Sequence, residues 1–257
     1  MAAWTAFPFK GDYDFTPASV KKNWARLHRG DAEACPDNPA VLQAWALYHS
    51  GDFQAAAQAG LALGEAGVTV ANRATAIYAN YLERNEKKKL ELLMQVTERA
   101  EAQARSEPAN PNAHYLQAYA LGRYSQGISV AKALAQGLGA KVKNALEKTI
   151  QLEPQHADAR IALGAFHAEV IDKVGPLIGG MTYGAKKDTG LKLFEEALAL
   201  CPHMPIALIE YANGMVMLEG DKRLAEATKL YEKAAACKPQ DAMERLDVEM
   251  ARAELAD

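Results

Sequence analysis

The feature that most constrains this chain is a recurring punctuation. An apolar run of helical period closes on a proline, and a second such run follows. "NALEKTIQLEP" ends at Pro154, "LKLFEEALALCP" at Pro202 and "TKLYEKAAACKP" at Pro239, while Pro108 and Pro36 close looser members. Proline cannot continue a helix and forces the residue before it out of the helical region, so each proline marks a helix end. Behind these prolines come "NPNAHYLQAYALGRY", "HADARIALGAFHAEV", "MPIALIEYANGMVMLEGD" and, after Pro36, "DNPAVLQAWALYHSGDF". A small residue recurs at one point of each: Ala44, Ala118, Gly164 and Ala212. Ala197 and Ala234 stand five residues before their prolines in the partner helices. Small residues at matched positions let two helices approach closely, so the chain reads as a series of paired helices.

The rest of the sequence agrees with an all-helical fold. No stretch alternates apolar and polar residues over the length of a strand, and period-3.6 patterns such as Leu191, Phe194, Glu195, Leu198 dominate. With 49% apolar and 24% charged residues, the composition is that of a soluble globular chain. The net charge of −3 leaves no electrostatic footprint for nucleic acid, and the run Lys87–Lys89 is flanked by Glu86 and Glu91. No apolar run reaches transmembrane length, so no membrane insertion is expected. Lys10, Asp12 and Asp14 stand where a signal peptide needs an apolar core, which points to a cytoplasmic protein. Cys35, Cys201 and Cys237 are far apart, form no CxxC, and read as small apolar core residues.

These paired helices resemble the tetratricopeptide repeat (TPR) family. "ALG…H" at 162–167 leads into "FEEALALCP", and "LAEATKLYEKAAACKP" places Ala227, Tyr231, Ala234 and Pro239 at the family spacing. Gly51-Asp52-Phe53 followed by Ala56 fits a repeat turn and second helix. A standard repeat has about 34 residues. Here the intervals from Pro108 to Pro154, Pro154 to Pro202 and Pro202 to Pro239 are 46, 48 and 37 residues. The excess falls in residues 122–141 and 173–189, between helices of a pair. Two long turns of this kind, "AHYLQAYALGRYSQG", and the acidic end "DAMERLDVEMARAEL" make the layout similar to the regulator of microtubule dynamics family. The resemblance implies a right-handed α-solenoid of antiparallel helix pairs with long inter-helix insertions. It also implies a non-enzymatic interaction protein, and it carries no catalytic residue.

Three segments are expected. Residues 1–36 form an aromatic segment and a leading helix acting as a cap, residues 37–240 the repeat domain, and residues 241–257 a C-terminal acidic helix. Thr16 reads as a helix cap with Pro17 at the first helical position. "NWARLHRGD" echoes "AWALYHSGD", with Gly30 and Gly51 as helix stops. Trp4, Phe7, Phe9, Tyr13 and Phe15 are dense enough to cover the open face of a terminal repeat.

Catalytic motifs are absent. Four residues separate Gly179 from Gly184, as in a phosphate-binding loop, but Ala185 separates Gly184 from Lys186 and the preceding segment reads as helix. A softer anion contact is expected from the amides of Gly179 and Gly180 with Lys186 and Lys187. The six histidines form no HxxxH, and neither a metal site nor a cofactor is expected. That leaves a surface function. The first helix of each pair should line a concave groove with Trp45, Tyr48, His49, Arg73, Asn80, Arg84, Tyr115, Tyr119, Arg123, Glu169 and Asn213, residue types that anchor interfaces. The expected ligand is a protein or peptide. The alternative is a small ligand held between helices, with 173–189 as a glycine-hinged lid, akin to TPR-like accessory proteins of transporters.

Overall fold

A computed structural model describes residues 3–256. Among these residues, thirteen α-helices and no strand occur. In chain order they are α1 (Pro17–Leu27), α2 (Pro39–His49), α3 (Phe53–Ala62), α4 (Val68–Tyr81), α5 (Glu86–Ser106), α6 (Pro111–Gln126) and α7 (Val130–Ala135). There follow α8 (Leu138–Leu152), α9 (Ala157–Tyr183), α10 (Lys187–Leu200), α11 (Pro205–Glu219), α12 (Leu224–Ala235) and α13 (Ala242–Glu254). The chain divides into two compact units. The first comprises residues up to His28, Glu33–Leu138 and Asp241–Met243; the second comprises Arg29–Ala32, Gly139–Gln240 and the residues from Glu244 onward.

Local chemistry sets the boundaries. Helices α5, α8, α10 and α12 stop within a few residues of Pro108, Pro154, Pro202 and Pro239. At the other ends, Thr16 caps α1 through a reciprocal box with Ser19, and Pro17, Pro39, Pro111 and Pro205 occupy first helical positions. Asn38 caps α2, and Asn110 caps α6 by accepting from the amides of Asn112 and Ala113. His156 does this for α9, its Nδ1 accepting from the Ala159 amide at 3.1 Å.

In the first unit, consecutive helices from α2 to α6 pack on one another. In the second, α9 packs on α10 and both meet α11, which packs on α12. Ala44, Ala118, Gly164, Ala212, Ala197 and Ala234 are all buried at these crossings. Phe194 shows the reason for small residues there. Its side chain is 0% exposed and lies between two glycines. A Cβ on Gly164 would come within 3.0 Å of the ring and one on Gly214 within 2.5 Å. Tyr211 stacks on the same ring at 5.5 Å.

The two insertions are not open turns. Residues 122–141 contain α7, capped by Ser129, and the first residues of α8. Residues 173–189 are largely helical, since α9 continues to Tyr183 across a kink at Gly175. Gly175 adopts φ 81°, ψ 160°, a conformation nearly closed to other residues, and Pro176 then starts a second helical arm. Gly179 is buried in that arm, where a Cβ would lie 3.0 Å from Val170 Cγ1, and Gly184 ends it with φ 65°. The glycines therefore shape and terminate a helix instead of loosening a turn. The expectation that 173–189 is a loop is corrected accordingly. The arm exposes Leu177, Ile178 and Met181.

The cysteines also differ from expectation. Cys201 is buried, and burial pushes its thiol up to about 11. Cys237 is half-buried and Cys35 is exposed, so Cys35 is not a core residue.

Candidate functional site

In the first unit, the residues expected to line a groove separate into two groups. Trp45, Tyr48 and His49 are core residues, each no more than 2% exposed. The reason is the leading helix and the segment before it, which cover α2. Trp24 of α1 meets Trp45 edge-on at 5.8 Å, Phe15 lies 5.7 Å from the His49 ring, and Phe53 packs edge-on to Tyr48 at 5.6 Å. These three side chains are therefore unavailable as anchors for a partner.

The second group comes together on α4 and α6. Arg73 lies 5.5 Å above the Tyr115 ring, Tyr115 and Tyr119 are 6.0 Å apart, and Arg123 lies 5.5 Å above the Tyr119 ring. Helical geometry builds this row. Positions 115, 119 and 123 are spaced by four and stack along one face of α6, and Arg73 reaches in from α4. Tyr115 is buried and acts as a platform, while Arg73, Tyr119 and Arg123 are half-buried. Asn80 is half-buried farther along α4, and Arg84 is exposed beyond its end. Each guanidinium is attracted to the ring beneath it by cation–π interaction. Arg123 also donates to Gln126 Oε1 at 3.3 Å. A guanidinium held in this way is suited to two-pronged binding of a carboxylate.

In the second unit, Glu169 is half-buried and faces Lys173 at 3.9 Å, and Asn213 Oδ1 accepts from the Tyr231 hydroxyl at 2.6 Å. The anion contact expected at Gly179 and Gly180 is not formed by amides. Both residues lie in the last turn of α9, and their carbonyl oxygens accept from Ala185 and Gly184. Helix ends of this polarity repel anions. Lys186 is exposed, and its amide donates to His167 Nδ1 at 3.1 Å. Burial and the nearby Lys143 and Lys186 lower the His167 pKa, so this ring is neutral and can accept. Lys187 is engaged with Glu219 at 2.8 Å. Beside them lies an open cleft of about 680 Å³, whose walls include Ile171, Pro176, Ala185, Met217 and Leu218.

One cluster escaped the sequence. His49 Nδ1 lies 2.6 Å from Asp241 Oδ2, and His49 Nε2 lies 3.3 Å from His28 Nε2, all within the core of the first unit. Trp24 stacks on His28 at 4.0 Å. The three groups are arranged end to end as a hydrogen-bonded chain. The echo of "NWARLHRGD" and "AWALYHSGD" was the available signal, because it places a Trp and a His four residues apart at the ends of both α1 and α2. Nothing in the sequence pairs His49 with a carboxylate 192 residues away.

No family model matches this chain, and no curated protein matches it. Among solved structures, the chain is similar to a thermophilic TPR protein of Thermus thermophilus. The two share 17% identity with a TM-score of 0.59, over 83% of this chain and 97% of that one. The fold is TPR-like. Among the described residues, no helix is long and apolar enough to cross a membrane.

Proposed function

We propose that the chain is a non-enzymatic scaffold that binds a protein or peptide segment bearing carboxylates on the α4–α6 face of its first unit. The observation that supports this reading is the row Arg73–Tyr115–Tyr119–Arg123. Two guanidiniums sit over two tyrosines that are 6.0 Å apart, each 5.5 Å above its ring. Cation–π contact restrains both cations before a ligand arrives, which reduces the entropy lost on binding. Asn80 on the same helix as Arg73, and Arg84 just beyond its end, extend the polar surface available to a longer segment.

The test is a selection from a displayed peptide library. Peptides enriched on the unaltered chain should carry Asp, Glu or a free C-terminal carboxylate. They should lose roughly tenfold to a hundredfold in affinity for Arg123→Gln, the range expected when a charge-assisted hydrogen bond of about 1.5–3 kcal/mol is removed. Arg123→Lys should recover only part of this, because an ammonium lacks the planar fork. No enrichment, or equal affinity for the Gln variant, contradicts the reading.

A further inference from the structure

Residues 4–15 lie on the first unit in the manner of a bound peptide. The segment has no regular secondary structure apart from a turn closed by the Asp12 amide on the Phe9 carbonyl. Three of its backbone amides are held by side chains of α3, α4 and the residue that ends α2. The Trp4 amide donates to Gln54 Oε1 at 3.0 Å, the Thr5 amide to the Tyr78 hydroxyl at 3.2 Å, and the Phe15 amide to Ser50 Oγ at 3.0 Å. Side chains that capture the backbone of an extended segment are a usual means of holding a peptide ligand.

Aromatic anchors complete the resemblance. Trp4 stacks on Tyr78 at 4.1 Å with 13° between the rings. Phe7 is buried, meets Phe53 edge-on at 6.1 Å, and fills the space left by the missing side chain of Gly51, where a Cβ would lie 2.5 Å from its ring. The receiving surface is itself braced. The Tyr78 hydroxyl donates to Glu83 Oε2 at 2.8 Å, and Lys88 holds the same carboxylate at 2.6 Å. Tyr78 is thereby held as both a flat platform for an indole and an acceptor for a backbone amide.

We propose that the face formed by Gln54, Tyr78, Gly51, Phe53 and Ser50 is a docking site for extended segments with two aromatic rings three residues apart, kept closed in this chain by its own residues 4–15. This site uses different residues from the Arg–Tyr row. The segment is a strap that opens without unfolding the helices, because Trp4 and Phe15 are only half-buried and its amides are tied to side chains. Tethering gives the strap a high effective concentration, so an outside segment competes only once the strap is weakened.

The probe is a fluorescein-labelled synthetic peptide of residues 3–16, titrated into the full chain and into its Phe7→Ala variant. Saturable binding is expected to the variant at a concentration at least tenfold below that needed for the unaltered chain. The same peptide with alanine at the positions of Trp4 and Phe7 should not bind. Absence of saturable binding to the variant, with its helical circular dichroism intact, overturns the proposal. Hydrogen exchange on the unaltered chain is the second measurement and tests the opening of the strap even if the variant does not fold. The amides of Trp4, Thr5 and Phe15 should exchange at least a hundredfold faster than those in the middle of α2 and α4. Exchange of strap and helices at one common rate would show that the segment opens only with global unfolding, and would also overturn the proposal.

Discussion

Replacing Gly214 by alanine should destabilise this protein, although alanine is the better helix former. In an open helix position, Gly→Ala contributes about 1 kcal/mol of stability. At position 214 the new Cβ would lie 2.5 Å from Phe194 Cε2 and 2.8 Å from Cζ. The ring cannot retreat, because Gly164 backs it on one side and Tyr211 stacks on it at 5.5 Å. Overpacking of such a site costs about 1–3 kcal/mol and can exceed that where the neighbours are rigid. The net expectation is a loss of up to about 2 kcal/mol. Gly122 in α6 is the control, since nothing lies within 4 Å of a Cβ built there. Gly122→Ala should stabilise by about 0.5–1 kcal/mol. Urea unfolding followed by circular dichroism measures both, with hydrogen exchange of α6 and α11 amides reporting each unit separately. Adding Phe194→Leu should abolish most of the cost of Gly214→Ala, a coupling of about 1 kcal/mol or more. If Gly214→Ala stabilises as much as Gly122→Ala, the wedged ring is not what fixes this helix crossing.

Three further outcomes are expected. Burial works against the charge of Glu83, but the hydrogen bond from Lys88, the Asn85 amide and the Tyr78 hydroxyl outweigh it and hold the carboxyl at about 2 against an ordinary 4.5. A depressed carboxylate contributes stability above its unfolded pKa and loses it as pH falls, so the decline between about pH 4.5 and 2 should be shallower in Glu83→Gln when urea midpoints are compared. Gly175→Ala should cost about 1–3 kcal/mol of backbone strain at φ 81°, or straighten the α9 kink, and a melting curve paired with solution scattering separates these results. Asp241→Ala leaves a buried His49 N–H without its acceptor and should cost about 1–3 kcal/mol in chemical denaturation, whereas Asp241→Asn, whose carbonyl still accepts, should cost less.

Much of the fold was written in local signals. The prolines at 154 and 202 end helices by steric exclusion, and Thr16 with Pro17 starts one, so these boundaries needed no knowledge of distant residues. The small residues at 164, 197, 212 and 234 marked the helix crossings for the same reason. The segment 173–189 was misread because glycine content alone does not separate a loop from a kinked helix. A positive-φ glycine directly before a proline restarts a helix, and the buried Gly179 allows that arm to pack closely. On the candidate site, the four-residue spacing of Tyr115, Tyr119 and Arg123 was legible, since it depends only on α6. The exposure of Trp45, Tyr48 and His49 was not, because it depends on what α1 and the N-terminal segment cover. The His49–Asp241 pair joins residues 192 positions apart, a separation that no local pattern encodes.

The most direct test of the central claim is to locate a bound segment by hydrogen exchange. With a selected carboxylate-bearing peptide at saturation, the peptides of the chain that slow their exchange should be those spanning Arg73–Arg84, on α4 and just past its end, and Tyr115–Gln126 on α6. The protection should disappear in an Arg73→Gln/Arg123→Gln double variant that retains its melting temperature. Protection confined to residues 171–189, or protection at α4 and α6 that persists in the double variant, would contradict a scaffold that reads carboxylates through its Arg–Tyr row.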